Sequence, residues 1–520
     1  MLPRLAWRLR TSSIAIAALA LFFSGCMLPA LTCPAKGGPK WLELGSEHFI
    51  LRTDYDRSSA RAQLVELEQR VSILSSLVLP KLPAPSGRFE VVLFAEPADY
   101  SALFPEMLDL TPDTSMLGHA QANFVGFWKR AQDLGETDCL VTDRPSWDIF
   151  QHELTHRIVG FALPQAPTWL NEGLAEFYQT LEIDWEGRAL TIGRPPYLAS
   201  PTEWPTAEEL VTADAGTFYK VARTSGFYSA AWVMVDLLLR RHPKQLADYI
   251  EAMRKGEGSI EAWRAHLGGD WAAWDRELRG YLPDLDHRGL PIAERRPLPA
   301  LSFPNPAWEK VLPDETVHLL WAQLRNWDRP ENGPKIEADL LEAARIAPES
   351  ADVFFWRARY ALARGQLKEA ESFARRALAK SPGAELARAL LGEVLLTGEE
   401  QRHGGKPQLD EVGTILEPLR RSSSAEALGL ISDYEALGGD SDAALDFARR
   451  ATLADRSCAR CFDWLAMISF RMGHLAEAVA AGQRAVSLTP EQEVPTERLA
   501  RLRKYRAALA SSPGAAAPQR

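Results

Sequence analysis

The chain has 520 residues, 46% of them hydrophobic and 25% charged, ordinary globular values that argue against wholesale disorder and against a multi-span membrane protein. Fifty-nine Lys and Arg against 69 Asp and Glu leave a net charge of −10, so a phosphate-backbone binder is disfavoured and no nucleic-acid partner is expected. At ~150 residues per domain the length sets a prior of about three units, and five cysteines are too few for a disulfide scaffold.

Arg4, Arg8 and Arg10 form a basic start, followed by an apolar run from Ile14 to Phe23. That run is too short to span a bilayer, so residues 1–25 read as a secretory signal peptide. Phe23-Ser24-Gly25-Cys26 resembles the bacterial lipobox, in which cleavage leaves the cysteine as a lipid-modified N-terminus. The resemblance implies that Cys26 carries a lipid anchor in the bilayer of the cell envelope. Met27 stands where an Asp would favour inner-membrane retention, so the outer membrane is expected. Removing the signal deletes three arginines and no acids, which takes the charge from −10 to −13. Residues 26–40, with Pro29, Pro39 and two glycines, read as a tether.

The next stretch mixes periodicities. His48 to Thr53 and Arg88 to Phe94 read as strands, and Ser58 to Leu77 has helical spacing. Asn123 to Trp128 and Cys139 to Thr142 could add strands, and Trp147 to about Glu277 is mostly helical. Leu282 to Pro313 is dense in proline, including Pro291, Pro297, Pro299, Pro304 and Pro306. It is a linker or a wrapped extended segment, and the linker is set at 284–313.

From 314 to 510 the sequence repeats. Ala343 and Ala377 are 34 residues apart, and so are Ala451 and Ala485. Pro348, Pro382 and Pro490 each lie five residues after such an alanine, and Ala370, Ala444 and Ala478 lie seven before one. Gly365, Gly439 and Gly473 fall in the intervening turns. The period is that of tetratricopeptide repeats, in which small residues let two helices pack closely. The longer middle gap suits a degenerate repeat with an insertion near Gly398 to Pro407. Residues 511–520 read as a disordered tail.

His152-Glu153-Leu154-Thr155-His156 carries the strongest chemical signal. On a helix, residues four apart share a face, so both imidazoles can address one ion, with Glu153 beside them as a base. Trp169-Leu170-Asn171-Glu172-Gly173-Leu174-Ala175-Glu176 opens a second helix after Pro164 and Pro167. A catalytic zinc takes three protein ligands and one open position, and Glu172 would complete a His₂Glu set. Glu176, one turn on, could hydrogen-bond a ligand imidazole.

HELTH followed by WLNEGLAEF resembles the gluzincin metallopeptidases of the peptidase MA-like branch. That resemblance implies an α+β zincin-type metallopeptidase domain over 41–283, and the 34-residue period an all-α tetratricopeptide repeat solenoid after it. It implies Zn2+ held by His152, His156 and Glu172, with Glu176 supporting a ligand. Fifteen residues separate His156 from Glu172, fewer than in better-known members. No G-x-M-E-N string is present; Gly118 to Asn123 is the nearest stretch, so exopeptidase activity is not implied. Glu153 would act as general base on zinc-bound water. Tyr228 is the candidate oxyanion donor, because family members place a Tyr at the start of a comparable helix; Tyr219 and His119 compete with it. Asn123 to Trp128 could pair with an extended peptide.

These readings describe a zinc-dependent peptidase of the cell envelope whose repeats recruit a protein partner or substrate. One alternative is a non-catalytic scaffold lipoprotein acting through its repeats. Another is a quality-control protease or chaperone for outer-membrane proteins. Cys458 and Cys461 have metal-ligand spacing without a second pair, so they could close as a disulfide; Cys33 and Cys139 could pair, or all four could be free thiols.

Overall fold

The computed structural model describes residues 31–80, 88–103, 124–129, 138–142, 147–163, 166–194, 199–219, 223–281, 294–300, 306–325, 327, 329–400, 409–455, 458–488 and 496–511. The signal, Cys26, His119, the Gly118 to Asn123 stretch, most of the middle-repeat insertion and nearly all of the tail lie outside them.

The N-terminal unit is built on a mixed sheet of β1 (Leu42–Gly45), β2 (Phe49–Thr53), β3 (Phe89–Leu93), β4 (Phe124–Lys129), β5 (Asp138–Thr142) and β9 (Trp308–Val311). Their order is β4-β5-β3-β2-β1-β9, with β2–β3 and β3–β5 parallel and the remaining pairs antiparallel. Alternation decides what each face packs against. Phe49, Leu51, Phe89, Val91 and Leu93 enter the main core, which they share with Leu64, Leu67, Val71 and Leu74 of helix α1 (Arg57–Leu77). Asp56 caps α1 by accepting from the backbone N–H groups of Ser58 and Ser59.

The opposite face carries Val92, joined by Phe94, Tyr100 and Leu103 around helix α2 (Pro97–Leu103). On this face, beside Val92, Arg52 pairs with Glu43 at 2.9 Å and with Glu90, and Lys310 reaches Glu43 at 2.9 Å. A charged ladder thus runs across neighbouring strands in register.

After the sheet come helices α3 (Trp147–Ala162) and α4 (Thr168–Gln179), and a small antiparallel sheet of β6 (Glu182–Asp184), β7 (Ala189–Ile192) and β8 (Glu294–Pro297). Helices α5 (Ala207–Thr212), α6 (Ala215–Phe218), α7 (Thr224–Arg241), α8 (Pro243–Arg254), α9 (Ser259–His266) and α10 (Trp271–Gly280) complete the unit. The buried helix α7 contributes Phe227 and an unbroken run from Ala230 to Val235, plus Leu237 and Leu238, to the main core.

The stretch 284–313 is not a free linker. It supplies β8 to the small sheet and β9 to the edge of the large one, paired with β1 through Leu42↔Val311 and Gly45↔Trp308. Proline excludes helix there and leaves the intervening extended residues free to pair at sheet edges.

The remaining helices are all α: α11 (Asp314–Leu324), α12 (Gly333–Ile346), α13 (Ala351–Ala363), α14 (Leu367–Lys380), α15 (Glu385–Glu400), α16 (Asp410–Leu416), α17 (Ala425–Gly438), α18 (Ser441–Ala454), α19 (Ala459–Arg471), α20 (Leu475–Ser487) and α21 (Thr496–Ala510). They pack as successive hairpins, α11 with α12, α13 with α14, α17 with α18 and α19 with α20. Helices α15 and α16 fill the long middle gap. The repeated alanines Ala343, Ala377, Ala451 and Ala485 are all fully buried, as are Ala370, Ala444 and Ala478. Gly365, Gly439 and Gly473 each close the turn inside a hairpin with φ of 70°, 90° and 79°, a left-handed conformation that favours glycine.

The array meets the N-terminal unit at each of its ends. Val317, Leu320, Trp321 and Leu324 of α11 pack with Trp41, Val92, Phe94 and Tyr100 on the back of the sheet. At the far end, Arg484 of α20 donates to the Gly160 carbonyl near the end of α3 at 3.0 Å. Asp455 lies where its charge favours the cationic forms of both Arg157 and Arg484, although burial depresses them to about 10 and about 9.

Cys458 and Cys461 are joined by a disulfide at the start of α19. Cys33 is a free, buried thiol, so the considered Cys33–Cys139 pair is not formed. Among the described residues no helix is long and apolar enough to cross a membrane.

Candidate metal centre

Helix α3 buries Phe150, Leu154, Ile158 and Val159 in the main core, which leaves positions 152, 153 and 156 for another face. Helix α4 starts after Pro167 and buries Trp169, Leu170, Leu174, Phe177 and Tyr178. Glu172 and Glu176, four apart, therefore share a face directed at α3. Gly173 lets α4 approach α7 closely. A Cβ there would lie 2.6 Å from the Ala231 carbonyl oxygen and 2.7 Å from Val235.

Three side chains converge. His152 Nε2 and His156 Nε2 are 3.0 Å apart, and Glu172 Oε2 lies 3.6 and 3.5 Å from them. Among the described residues this is the one group of three metal-capable side chains, its ligand atoms all within 4.8 Å of one another. Ligands at ~2.0–2.1 Å from a tetrahedral zinc would be spaced by about 3.3–3.4 Å, close to the three separations found.

The surrounding bonds support a cation. Tyr219 donates its phenol hydrogen to Glu172 Oε1, which leaves Oε2 as the free oxygen facing the imidazoles. That buried Oε2 has no hydrogen-bond partner, which is costly unless a cation meets it. His152 Nδ1 lies 2.8 Å from Gln179 Oε1 and 3.5 Å from Glu176 Oε1. The residues present therefore fit a divalent metal ion.

Electrostatics point the same way. Burial depresses the His152 imidazolium, but the nearby Glu172 carboxylate and the charges of Glu176 and Glu153 outweigh it and lift the pKa to about 10. His156 is raised by the same competition, with Glu172 as its main partner. Burial opposes ionisation of Glu172, yet the two imidazoles hold it well below the usual carboxylate range. Burial pushes Glu176 up to about 7 and raises Glu153, each moderated by the histidines. Three carboxylates thus crowd two imidazoles, and the cluster draws in positive charge.

Tyr228, on the second turn of α7, is pushed well above 10, first by burial and then by the charges of Glu172, Tyr219, Glu176 and Glu153. Its ring lies 6.2 Å from that of Tyr219, whose phenol bonds Glu172. Two contacts escape the sequence reading. Gln179 stands seven residues after Glu172, two helical turns along the same face, so periodicity carries its signal. Tyr219 enters that reading only as a competing oxyanion donor, and nothing local marks its bond to Glu172.

No protein-family model matches the chain, and no curated protein matches it. Solved structures give partial likenesses. A thermophilic TPR protein of Thermus thermophilus is 21% identical, covering 38% of this chain and 98% of its own at a TM-score of 0.32. PilW, described as a type IV pilus biogenesis factor, is 16% identical over 39% of this chain and 88% of its own, TM-score 0.32. YrrB, described as a TPR protein with an unusual peptide-binding site, is 18% identical over 37% of this chain and 92% of its own, TM-score 0.24.

Proposed function

We propose that the chain is a zinc-dependent peptidase of the cell envelope, with a repeat array that recruits a protein partner or substrate. The observation that carries the reading is the convergence of His152 Nε2, His156 Nε2 and the unpartnered Glu172 Oε2 at 3.0 to 3.6 Å. A zinc ion held by these residues would acidify water and polarise a scissile carbonyl. Glu153, next to His152 on α3 and raised by burial, takes the proton of the attacking water and returns it to the leaving amine. Tyr228 donates a hydrogen bond to the oxyanion, and its depressed acidity keeps that hydrogen in place. Tyr219 holds Glu172 through its phenol, and Glu176 sets a carboxyl group 3.5 Å from His152 Nδ1. Strand β4 lies at the edge of the large sheet, where an extended peptide could add a strand.

The Cys458–Cys461 disulfide suits an oxidising compartment and supports the envelope location proposed from the lipobox. Metal analysis with a peptide-cleavage assay tests the reading. Stoichiometric zinc, lost in His152→Ala, is the expected result, and no zinc in either protein sinks it.

The second reading, a non-catalytic scaffold, is favoured by the extent of the helical array. Trapping in membranes separates the two. Glu153→Gln should retain bound substrates that the wild type releases cleaved, whereas a scaffold would hold the same partners in both forms. Trapped outer-membrane proteins would identify the quality-control variant of the peptidase.

A further inference from the structure

We infer that Gln179 is the positioning residue that fixes the orientation and tautomer of His152, a deepening that rests on the metal-centre reading above. The Gln179 amide oxygen lies 2.8 Å from His152 Nδ1, whereas the nearest Glu176 oxygen is 3.5 Å away. An amide oxygen only accepts, so the hydrogen of the imidazole sits on Nδ1. The lone pair of Nε2 is thereby turned toward Glu172 Oε2 and His156 Nε2.

Gln179 is itself held. It is the last residue of α4, and its carbonyl accepts from Gln151 Nε2 at 2.7 Å; the same amide group reaches the Leu181 carbonyl at 3.2 Å. Gln151 is fully buried, and Arg70 of α1 donates to its Oε1. Arg70 in turn lies 4.0 Å over the Trp147 ring and pairs with Glu66 at 2.7 Å. Two consecutive residues of α3 therefore clamp one residue of α4. Gln151 grips its backbone while His152 takes its side chain.

The arrangement separates two tasks. The neutral amide orients the ring without adding charge, and Glu176, set farther back, supplies negative field. Outer partners of a metal-bound histidine typically affect metal affinity by roughly 10- to 100-fold when removed.

The test uses full-length protein and zinc itself, titrated in competition with a chromophoric chelator. Gln179→Met keeps the side-chain length and removes the acceptor; Gln179→Glu keeps an acceptor. Zinc binding should weaken roughly 10- to 100-fold in Gln179→Met and return to within a few-fold of wild type in Gln179→Glu. Wild-type affinity in a folded Gln179→Met overturns the inference. Absence of zinc binding by the wild type overturns the metal-centre reading instead. Should Gln179→Met not fold, ¹⁵N-histidine spectra of the zinc-loaded wild type decide. The resonances lost in His152→Ala should report an Nδ1–H ring, and an Nε2–H ring overturns the inference.

Discussion

Helices α3 and α4 form one packed pair, and α19 and α20 form another, yet their seams are filled differently. Between α19 and α20 lie Leu465, Ala466, Ile468, Ala478 and Ala481, apolar side chains that need only close contact. Between α3 and α4 lie Gln151, His152, Glu172 and Gln179, each of whose polar atoms needs a partner once water is excluded. A helix pair therefore acquires chemistry when its seam is polar and incompletely satisfied. The array holds polar contacts too, such as His318–Asp339 at 3.0 Å between α11 and α12, but among the described residues it gathers no group of three metal-capable side chains.

The difference can be probed one residue at a time. Glu153→Gln should retain zinc and lower turnover by about 10²- to 10⁴-fold, measured on a fluorogenic peptide beside metal content; unchanged turnover removes Glu153 as the base. Gly173→Leu forces side-chain atoms into the Ala231 carbonyl, so it should lower stability by at least about 1–3 kcal/mol and weaken zinc binding with it. Denaturant titration and chelator competition on the same samples would show whether both losses occur together.

Ala377→Leu overpacks a fully buried site in the array and should cost about 1–3 kcal/mol locally, without altering zinc affinity. Hydrogen exchange should report the loss in α13 to α15. A matching loss of zinc would mean that the two kinds of seam are energetically coupled.

The smallest effect is a pH dependence. His48 Nδ1 lies 2.7 Å from Glu68, and this bond raises the histidine and lowers the acid, burial opposing it in both. The raised histidine contributes stability below its ordinary 6.5 that is lost as pH rises through its folded value. The lowered acid contributes above its ordinary 4.5 and fades as pH falls through its own. The melting difference between wild type and His48→Gln should peak between those pH values and shrink on either side; a flat difference would dismiss the pair.

Much of this was legible in the sequence where periodicity is local. The i, i+4 spacing of His152 and His156, and of Glu172 and Glu176, placed four site residues, and the 34-residue period located the hairpins of the array. Nonlocal pairings were not legible. Strands β1 and β9 are separated by most of the N-terminal unit, so WEKV among prolines carries no sign of its partner. Tyr219 reaches Glu172 across 47 residues through folding alone. Gln179 was hidden differently, because glutamine is neither a ligand nor a base and draws no notice beside acids.

The attachments of the helical array at its two ends have a mechanical meaning. The array is held at α11 and again at Arg484, so the N-terminal unit bridges two separate helices of it. A guest that moved these two helices apart would have to strip α11 from the sheet, pull Arg484 from Gly160, or pass the strain into α3 one turn beyond His156.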